Sequence, residues 1–357
     1  MYFCCVIIDG IMNLEFLEHI YKKNKETSLL GKWIHYKHIS PLLEKLSNSL
    51  DVSLIGKSEN SLPIHCVQFG NGAKKILIWT QMHGNESTGT KALFDFFNCI
   101  ANSESPFLES ILKECTILCI PMLNPDGSLN YTRVNQNGID LNRDAVDRKA
   151  TESKLLRSVL DDFNPHFCFN MHDQRTIFGV EGTKNPATIS FLAPSEEVTR
   201  KLTKGRVETM SVIVAMNSLL QQVIPNHIGR YTDEFYPTAT GDNFQKLGYN
   251  TILIEAGHYP NDYDREITRK FNFFALLKGV YHIAITDVFE EYESYFDIPN
   301  NQKSFFDVIE KSQNSTTSSA YQYVDKVVNG KFISELNLEK VGDLSQFNAH
   351  LMKIKKK

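Results

Sequence analysis

Four short apolar runs constrain this chain more than any bulk property does. Ile76 to Trp79 empties into a short loop that carries His83 and Glu86, and Thr116 to Ile120 is stopped by Pro121. Phe167 to Asn170 ends at His172, and Thr251 to Ile254 is terminated by Glu255. Between these runs lie longer segments with helical spacing: Gly89 to Ile100, Thr151 to Phe163, Glu196 to Gln222 and Asp264 to Phe289. Short apolar runs without polar alternation read as buried strands, and strands that alternate with helices make a layered sheet. The expected fold class is α/β: a three-layer, mixed, mostly parallel sheet with helices on both faces.

The flanks of this pattern are more varied. Asn13 to Tyr21 and Ser40 to Leu50 have helical spacing, the second opened by Ser40-Pro41 as an N-cap with proline at the first helical position. Val52 to Ile55 and Leu62 to Phe69 alternate as paired strands. Asn124 to Arg143 and Ile228 to Asn243 read as loops, rich in turn residues. A structureless stretch as long as 124–143 belongs inside a compact domain only if it builds a site. The expected organisation is a catalytic domain over 1–299 (with 1–50 an N-terminal helical segment), a polar, serine-rich linker over 300–320, and a small β-rich C-terminal extension over 321–357.

Bulk properties narrow the function classes. A net charge of -4 speaks against a general nucleic-acid binder. No run reaches the roughly 20 apolar residues needed to cross a bilayer. The seven cysteines, Cys4 and Cys5 among them, follow no paired spacing, and most sit in apolar runs as small hydrophobes. A cytoplasmic location is expected. Residues Met1 to Ile11 lack the basic start and cleavage site of a signal peptide, and Met12 is an alternative start.

The ends of the strands carry the chemistry. Two histidines and one glutamate (His83, Glu86 and His172), with a fourth position open to water, form the donor set of a catalytic zinc site. A further carboxylate close by could act as general base on that water, and Glu255, directly after four apolar residues, is the candidate. Taken singly, each of these residues has an ordinary explanation as a hydrogen-bonded or salt-bridged side chain. Four of them at strand ends do not.

The long loop adds Asn124-Pro125-Asp126-Gly127, then Arg133, then Asp140-Leu141-Asn142-Arg143. With His83-Gly84-Asn85-Glu86, these motifs resemble the signature of the zinc carboxypeptidases, the M14-type metallocarboxypeptidases, over about Leu54 to Phe289. The resemblance implies a zinc-carboxypeptidase-like fold and one zinc ion on His83, Glu86 and His172. It also implies Glu255 as general base and acid, Arg133 at the oxyanion, and Asn142 and Arg143 as the clamp for a substrate's terminal carboxylate. Arginine's planar fork suits that last task, since it meets a carboxylate bidentately. Asp140 is expected to orient the loop or the second ring nitrogen of a ligand. Tyr236 matches the family's mobile tyrosine, with Tyr231 a near rival. The residue that selects the terminal side chain falls near Asn243, with Asp242 beside it. His258 either lines the cleft or is structural.

The implied function is a metallopeptidase that removes a C-terminal residue from a peptide with a free carboxylate. Two other enzyme readings share the motifs: an amidohydrolase of N-acyl amino acids, of the aspartoacylase or succinylglutamate desuccinylase type, and a murein-peptide amidase. The third class is an inactive carboxylate-binding module. The distance from Glu86 to His172 suggests a more open cleft than that of digestive members, and the start of the chain suggests no secreted zymogen.

Overall fold

The computed structural model describes residues 13–312 and 317–355. The readings made on Cys4, Cys5 and the alternative start at Met12 fall outside these residues. In chain order the helices are α1 (Leu14–Asn24), α2 (Tyr36–Leu46), α3 (Thr88–Asn102), α4 (Pro106–Glu114), α5 (Pro125–Asn130), α6 (Thr151–Phe163), α7 (Lys204–Leu220), α8 (Thr240–Lys246) and α9 (Glu266–Ile285). The strands of the main sheet and its margin are β1 (Asp51–Lys57), β2 (Pro63–Phe69), β3 (Lys74–Thr80), β4 (Cys115–Ile120), β5 (Phe167–Asp173), β6 (Phe178–Val180), β7 (Ile189–Leu192), β8 (Ile228–Arg230), β9 (Asn250–Ala256) and β10 (Asn301–Lys303). Then follow β11 (Phe305–Ser312), β12 (Ser318–Val328), β13 (Lys331–Gly342) and β14 (Asn348–Lys355).

The main sheet runs β1-β2-β4-β3-β5-β9-β7-β8. Its centre, β4-β3-β5-β9, is parallel throughout, and antiparallel pairs occur only where β1, β2 and β7 join. The alternation of strand side chains sorts the core into two layers. On β3, Ile76 and Ile78 enter the larger layer with Leu93 and Phe97 of α3 and Phe273 and Leu277 of α9. Leu77 and Trp79 face the opposite way, against Leu156 and Leu160 of α6 and Phe244 of α8. Both faces of these strands are covered, so their sequence reads as an unbroken apolar run.

A buried ion pair locks the N-terminal segment to the larger layer. Arg269 on α9 donates to both carboxylate oxygens of Asp95 on α3, at 2.7 and 2.6 Å, and to the carbonyls of Leu29 and Glu26. Both side chains are fully buried. Because so many polar atoms of the pair are satisfied, its burial is tolerated, whereas removing one partner would cost about 3–5 kcal/mol.

Several element readings need correction. Helix α2 begins at Tyr36, a turn before Ser40, where the His38 ring accepts from the His35 backbone N–H at 3.2 Å. Pro41 therefore lies inside the helix, not at its first position. The helix read from Glu196 starts only at Lys204, where the Thr203 hydroxyl caps the Arg206 N–H. The polar stretch 300–320 is not a free linker: β10 pairs with β6, and β11 joins the C-terminal sheet β13-β12-β11-β14. Its serine-rich composition hid these strands, and the β10–β6 and β11–β14 pairings join residues distant in sequence.

Candidate active site

The first site loop leaves β3 through Gln81, which is in the left-handed region at φ 50. Its buried side chain holds that turn, donating to the carbonyls of Ile34 and Gly84 at 2.7 and 2.8 Å and accepting from Thr90. At Gly84 the backbone passes directly against the second loop, and a Cβ there would lie 1.9 Å from the Gly127 carbonyl carbon. Asn124 completes the junction by donating to the Met82 carbonyl at 3.1 Å and accepting from the Gly127 N–H at 2.8 Å. The Asn-Pro-Asp-Gly element is thus a brace for the loop that carries His83 and Glu86.

Those two side chains meet His172 at the end of β5. Glu86 Oε1 lies 2.8 Å from His83 Nδ1, Glu86 Oε2 lies 2.8 Å from His172 Nδ1, and the two ring nitrogens are 3.1 Å apart. All three residues are buried, and their ligand atoms lie within 4.8 Å of one another. Burial alone would push the Glu86 carboxyl up, but the flanking imidazoles hold it well below the usual carboxylate range. Two imidazoles and a carboxylate converging on one point are a donor set that fits a zinc ion.

Supporting residues fix these donors. Asp140 Oδ1 accepts from His83 Nε2 at 3.0 Å and from the Asn142 N–H at 2.9 Å, while its Oδ2 accepts from Arg133 Nε at 2.9 Å. Hydrogen bonds and the charges of His83 and Arg133 outweigh desolvation and keep this carboxyl ionised. Arg133 extends to within 3.2 Å of His83 Nδ1 and 3.4 Å of Glu86 Oε1. Such a contact between a ring nitrogen ligand and an ordered carboxylate sets the tautomer and orientation of the ring.

Glu255 is the register partner of His172 across the β5–β9 pair. Its Oε2 is sealed from solvent and has no hydrogen-bond partner among the described residues. Burial first, then the nearby Glu86 and Asp173 carboxylates, push its pKa well above the usual range. Beneath it, Arg265 braces the strand ends by donating to the carbonyls of Ala256 and Gln174, both at 2.6 Å.

One cavity of about 670 Å³ is lined by His83, Glu86, Glu255, Arg133, Asn142, Arg143 and Tyr236, so it brings most of the expected site residues together. Arg143 is exposed, and among the described residues its guanidinium donates only to the adjacent Asn142 carbonyl, at 2.7 Å. Asn142 is tied to the start of α8 by accepting from the Thr240 N–H at 3.0 Å. Tyr236 is 51% exposed and bonds Glu234, whereas its rival Tyr231 is anchored on Gln174 and packs against Phe178. Asn243 is a correction: it does not line the cavity, and Asp242 does. Gly241 and Asp242 of α8 line the cavity, and the next residue, about 100° further round the helix, is turned out of it. His258 is buried against His350 and Tyr263, outside the cavity lining.

Sequence reasoning missed Asn170, buried in the cavity wall with its Oδ1 unpartnered among the described residues, and Arg265. Alternation from His172 would have put Asn170 on the same face. Nothing local marks Arg265, whose partners are mainly backbone carbonyls.

Comparison with known proteins places these features. A family model described as zinc carboxypeptidase matches residues 35–221, more than half of the chain. Carboxypeptidase SOL1 of Arabidopsis thaliana is 25% identical over 170 residues, covering 42% of this chain and 35% of that protein. Carboxypeptidase 2 of Trichophyton rubrum is 26% identical over 103 residues, covering 28% of this chain and 19% of that protein. The match thus spans about a third or less of these curated relatives. Among solved structures, a metallo-carboxypeptidase from Burkholderia cenocepacia shares the fold at TM-score 0.57 and 17% identity, covering 70% of this chain and 69% of that one. Carboxypeptidase A from Helicoverpa armigera does so at TM-score 0.56 and 15% identity, covering 77% and 81%.

Proposed function

This chain belongs to the zinc carboxypeptidase family, and from that premise we propose that it removes the C-terminal residue from peptides with a free terminal carboxylate. The observation that carries the reading is the arrangement around one cavity: His83 and Glu86 line it and cluster with His172 behind them, and Glu255 and the exposed Arg143 fork line it too. An inactive binding module would be expected to lack a ligand or the base, and all four are present.

A zinc ion held by His83, Glu86 and His172 would supply Lewis acidity, polarising the scissile carbonyl and acidifying a water. Glu255 takes the proton from the attacking water and returns it to the leaving amine, roles suited to a carboxyl whose pKa is raised by burial. Arg133 stabilises the developing negative charge on the carbonyl oxygen, a role supported by its reach to His83 Nδ1 and Glu86 Oε1. Arg143 grips the terminal carboxylate, the Asn142 amide adds a donor, and Tyr236 covers the bound residue. Asp242 and Asn170 give the pocket a polar lining, which favours a polar or basic terminal side chain over a large apolar one. The five described cysteines (Cys66, Cys99, Cys115, Cys119 and Cys168) are buried free thiols, which supports a reducing, cytoplasmic setting.

The test is a release assay on the zinc-loaded protein with blocked peptides, N-acyl amino acids and murein tripeptides. Amino-acid release from blocked peptides is the expected result. Release from N-acyl amino acids alone would overturn the peptidase reading in favour of a deacylase, and release from murein tripeptides alone would make it a murein-peptide amidase.

A further inference from the structure

The active-site cavity has a wall built by the C-terminal sheet. Gln322, Tyr323, Val324 and Asp325 of β12 line the same cavity as His83 and Glu255. This sheet is docked onto the α/β body at separate places. Gln322 is buried, accepts from the Thr176 hydroxyl at 3.1 Å and donates to the Phe305 carbonyl at 3.1 Å. His350 Nε2 donates to the Thr176 carbonyl at 2.8 Å, Lys32 pairs with Asp325 at 2.6 Å, and Tyr263 donates to Asp307 at 3.1 Å. Contacts with Lys32, Thr176 and Tyr263 come from three distant stretches of chain, so the wall has a fixed position.

The edge of β12 that meets the cavity is incompletely paired. Its ladder with β11 stops at Val308↔Tyr321, while its ladder with β13 continues to Val328↔Lys331. Residues 322–325 are therefore paired on one side only among the described ladders. The Tyr323 N–H points to the open side, where Asp307 Oδ2 accepts it at 2.8 Å. In an antiparallel ladder the direction of main-chain groups alternates, so the Tyr323 carbonyl and the Asp325 N–H point the same way. An open strand edge in a cavity is a template for an extended peptide.

One loop joins this sheet to the residues of the metal cluster. Tyr131 packs edge-on against Phe332 of β13 with ring centroids 5.0 Å apart, and Arg133, two residues later, reaches His83. The carboxylate clamp instead lies by α8, through Asn142 and Thr240. A peptide held by its carboxylate at Arg143 has its preceding residues free to run along β12. We propose that the open edge of β12 is a subsite for the main chain of the residues ahead of the scissile bond, so that the substrate is an extended peptide of about three or four residues or more, not a dipeptide or an N-acyl amino acid. This rests on the carboxypeptidase reading above.

The test uses the full chain loaded with zinc and peptides of two to six residues sharing one C-terminal residue. Binding is measured by calorimetry on Glu255→Gln, and hydrolysis on the unaltered protein. Affinity should rise about tenfold or more from dipeptide to tetrapeptide and then level off. N-methylation of one main-chain nitrogen ahead of the scissile bond should remove that gain, and N-methylation of its neighbour should not, following the two-residue period of a strand. Asp325→Pro should also remove the gain, whereas Asp325→Ala, which loses the same carboxylate but keeps the N–H, should retain it. Affinity independent of length, or equal effects of N-methylation at both positions, would overturn the subsite. Length-dependent binding without any hydrolysis would uphold the subsite and overturn the peptidase reading alone.

Discussion

His172 and Glu255 are direct partners in the parallel pair β5–β9, so one ring and one carboxylate leave neighbouring strand ends side by side. Sheet register, not sequence distance, sets their separation. Asn170 and Leu253, two residues earlier on each strand, are partners in the same way and line the same cavity. The floor of the site is therefore built from alternate rungs of one ladder, which share a face of the sheet.

Glu255→Gln should keep the fold and the metal while lowering kcat by about two to four orders of magnitude, the usual contribution of a positioned general base. Steady-state kinetics with zinc stoichiometry measured on the same preparation checks this. Near-normal turnover with bound zinc would remove Glu255 from the proton-transfer role.

Asp140→Ala should weaken zinc binding by about 10–100-fold. The carboxylate holds the far nitrogen of His83 and also Arg133, so both side chains lose their orientation. Competition with a chelator reads the affinity directly, and an unchanged zinc affinity would show that His83 needs no such partner.

Gly84→Ala should be far more damaging than its size suggests. The added methyl would lie 1.9 Å from the Gly127 carbonyl carbon, and neither backbone can move without displacing His83 or Asn124. Overpacking usually costs about 1–3 kcal/mol, and a backbone clash belongs at or beyond the upper end. Thermal unfolding should show a large loss, and a Tm within a few degrees of the parent would contradict the close packing.

Asp242→Asn should change how stability depends on pH. Burial pushes this carboxyl from 3.8 up to about 6, so the folded protein binds its proton more tightly than the unfolded chain. Its contribution favours folding at low pH and is lost as pH rises from about 4 to about 6, by at most about 3 kcal/mol. The amide keeps an oxygen for the Tyr236 N–H, which donates to Asp242 Oδ1 at 3.0 Å, and carries no charge to desolvate. The variant should be the more stable protein at pH 7, with a flatter profile between pH 4 and 6 in denaturant titrations. A variant less stable at pH 7 would show that the charged form is favoured in the cavity.

The sequence by itself determined the layered α/β architecture and the positions of the chemistry-bearing residues. Both are local signals. Apolar runs such as Ile76 to Trp79 announce buried strands, and Glu255 directly after Ile254 is conspicuous because a carboxylate at the end of a buried strand needs a reason. The His83-Gly84-Asn85-Glu86 and Asp140-Leu141-Asn142-Arg143 motifs are contiguous, so spacing alone exposes them.

Only the tertiary structure decided which neighbours these residues have. Asp242, not Asn243, faces the cavity because of the rotation of one short helix. Arg265 was invisible because backbone carbonyls carry no residue signature. The polar, serine-rich stretch ahead of Tyr321 hid β11, whose partners β12 and β14 lie on different sides of it in the C-terminal sheet. That β12 lines the active-site cavity depends on contacts such as Thr176 with Gln322, made between residues far apart in the chain, and non-local pairing of this kind leaves no periodic trace in sequence.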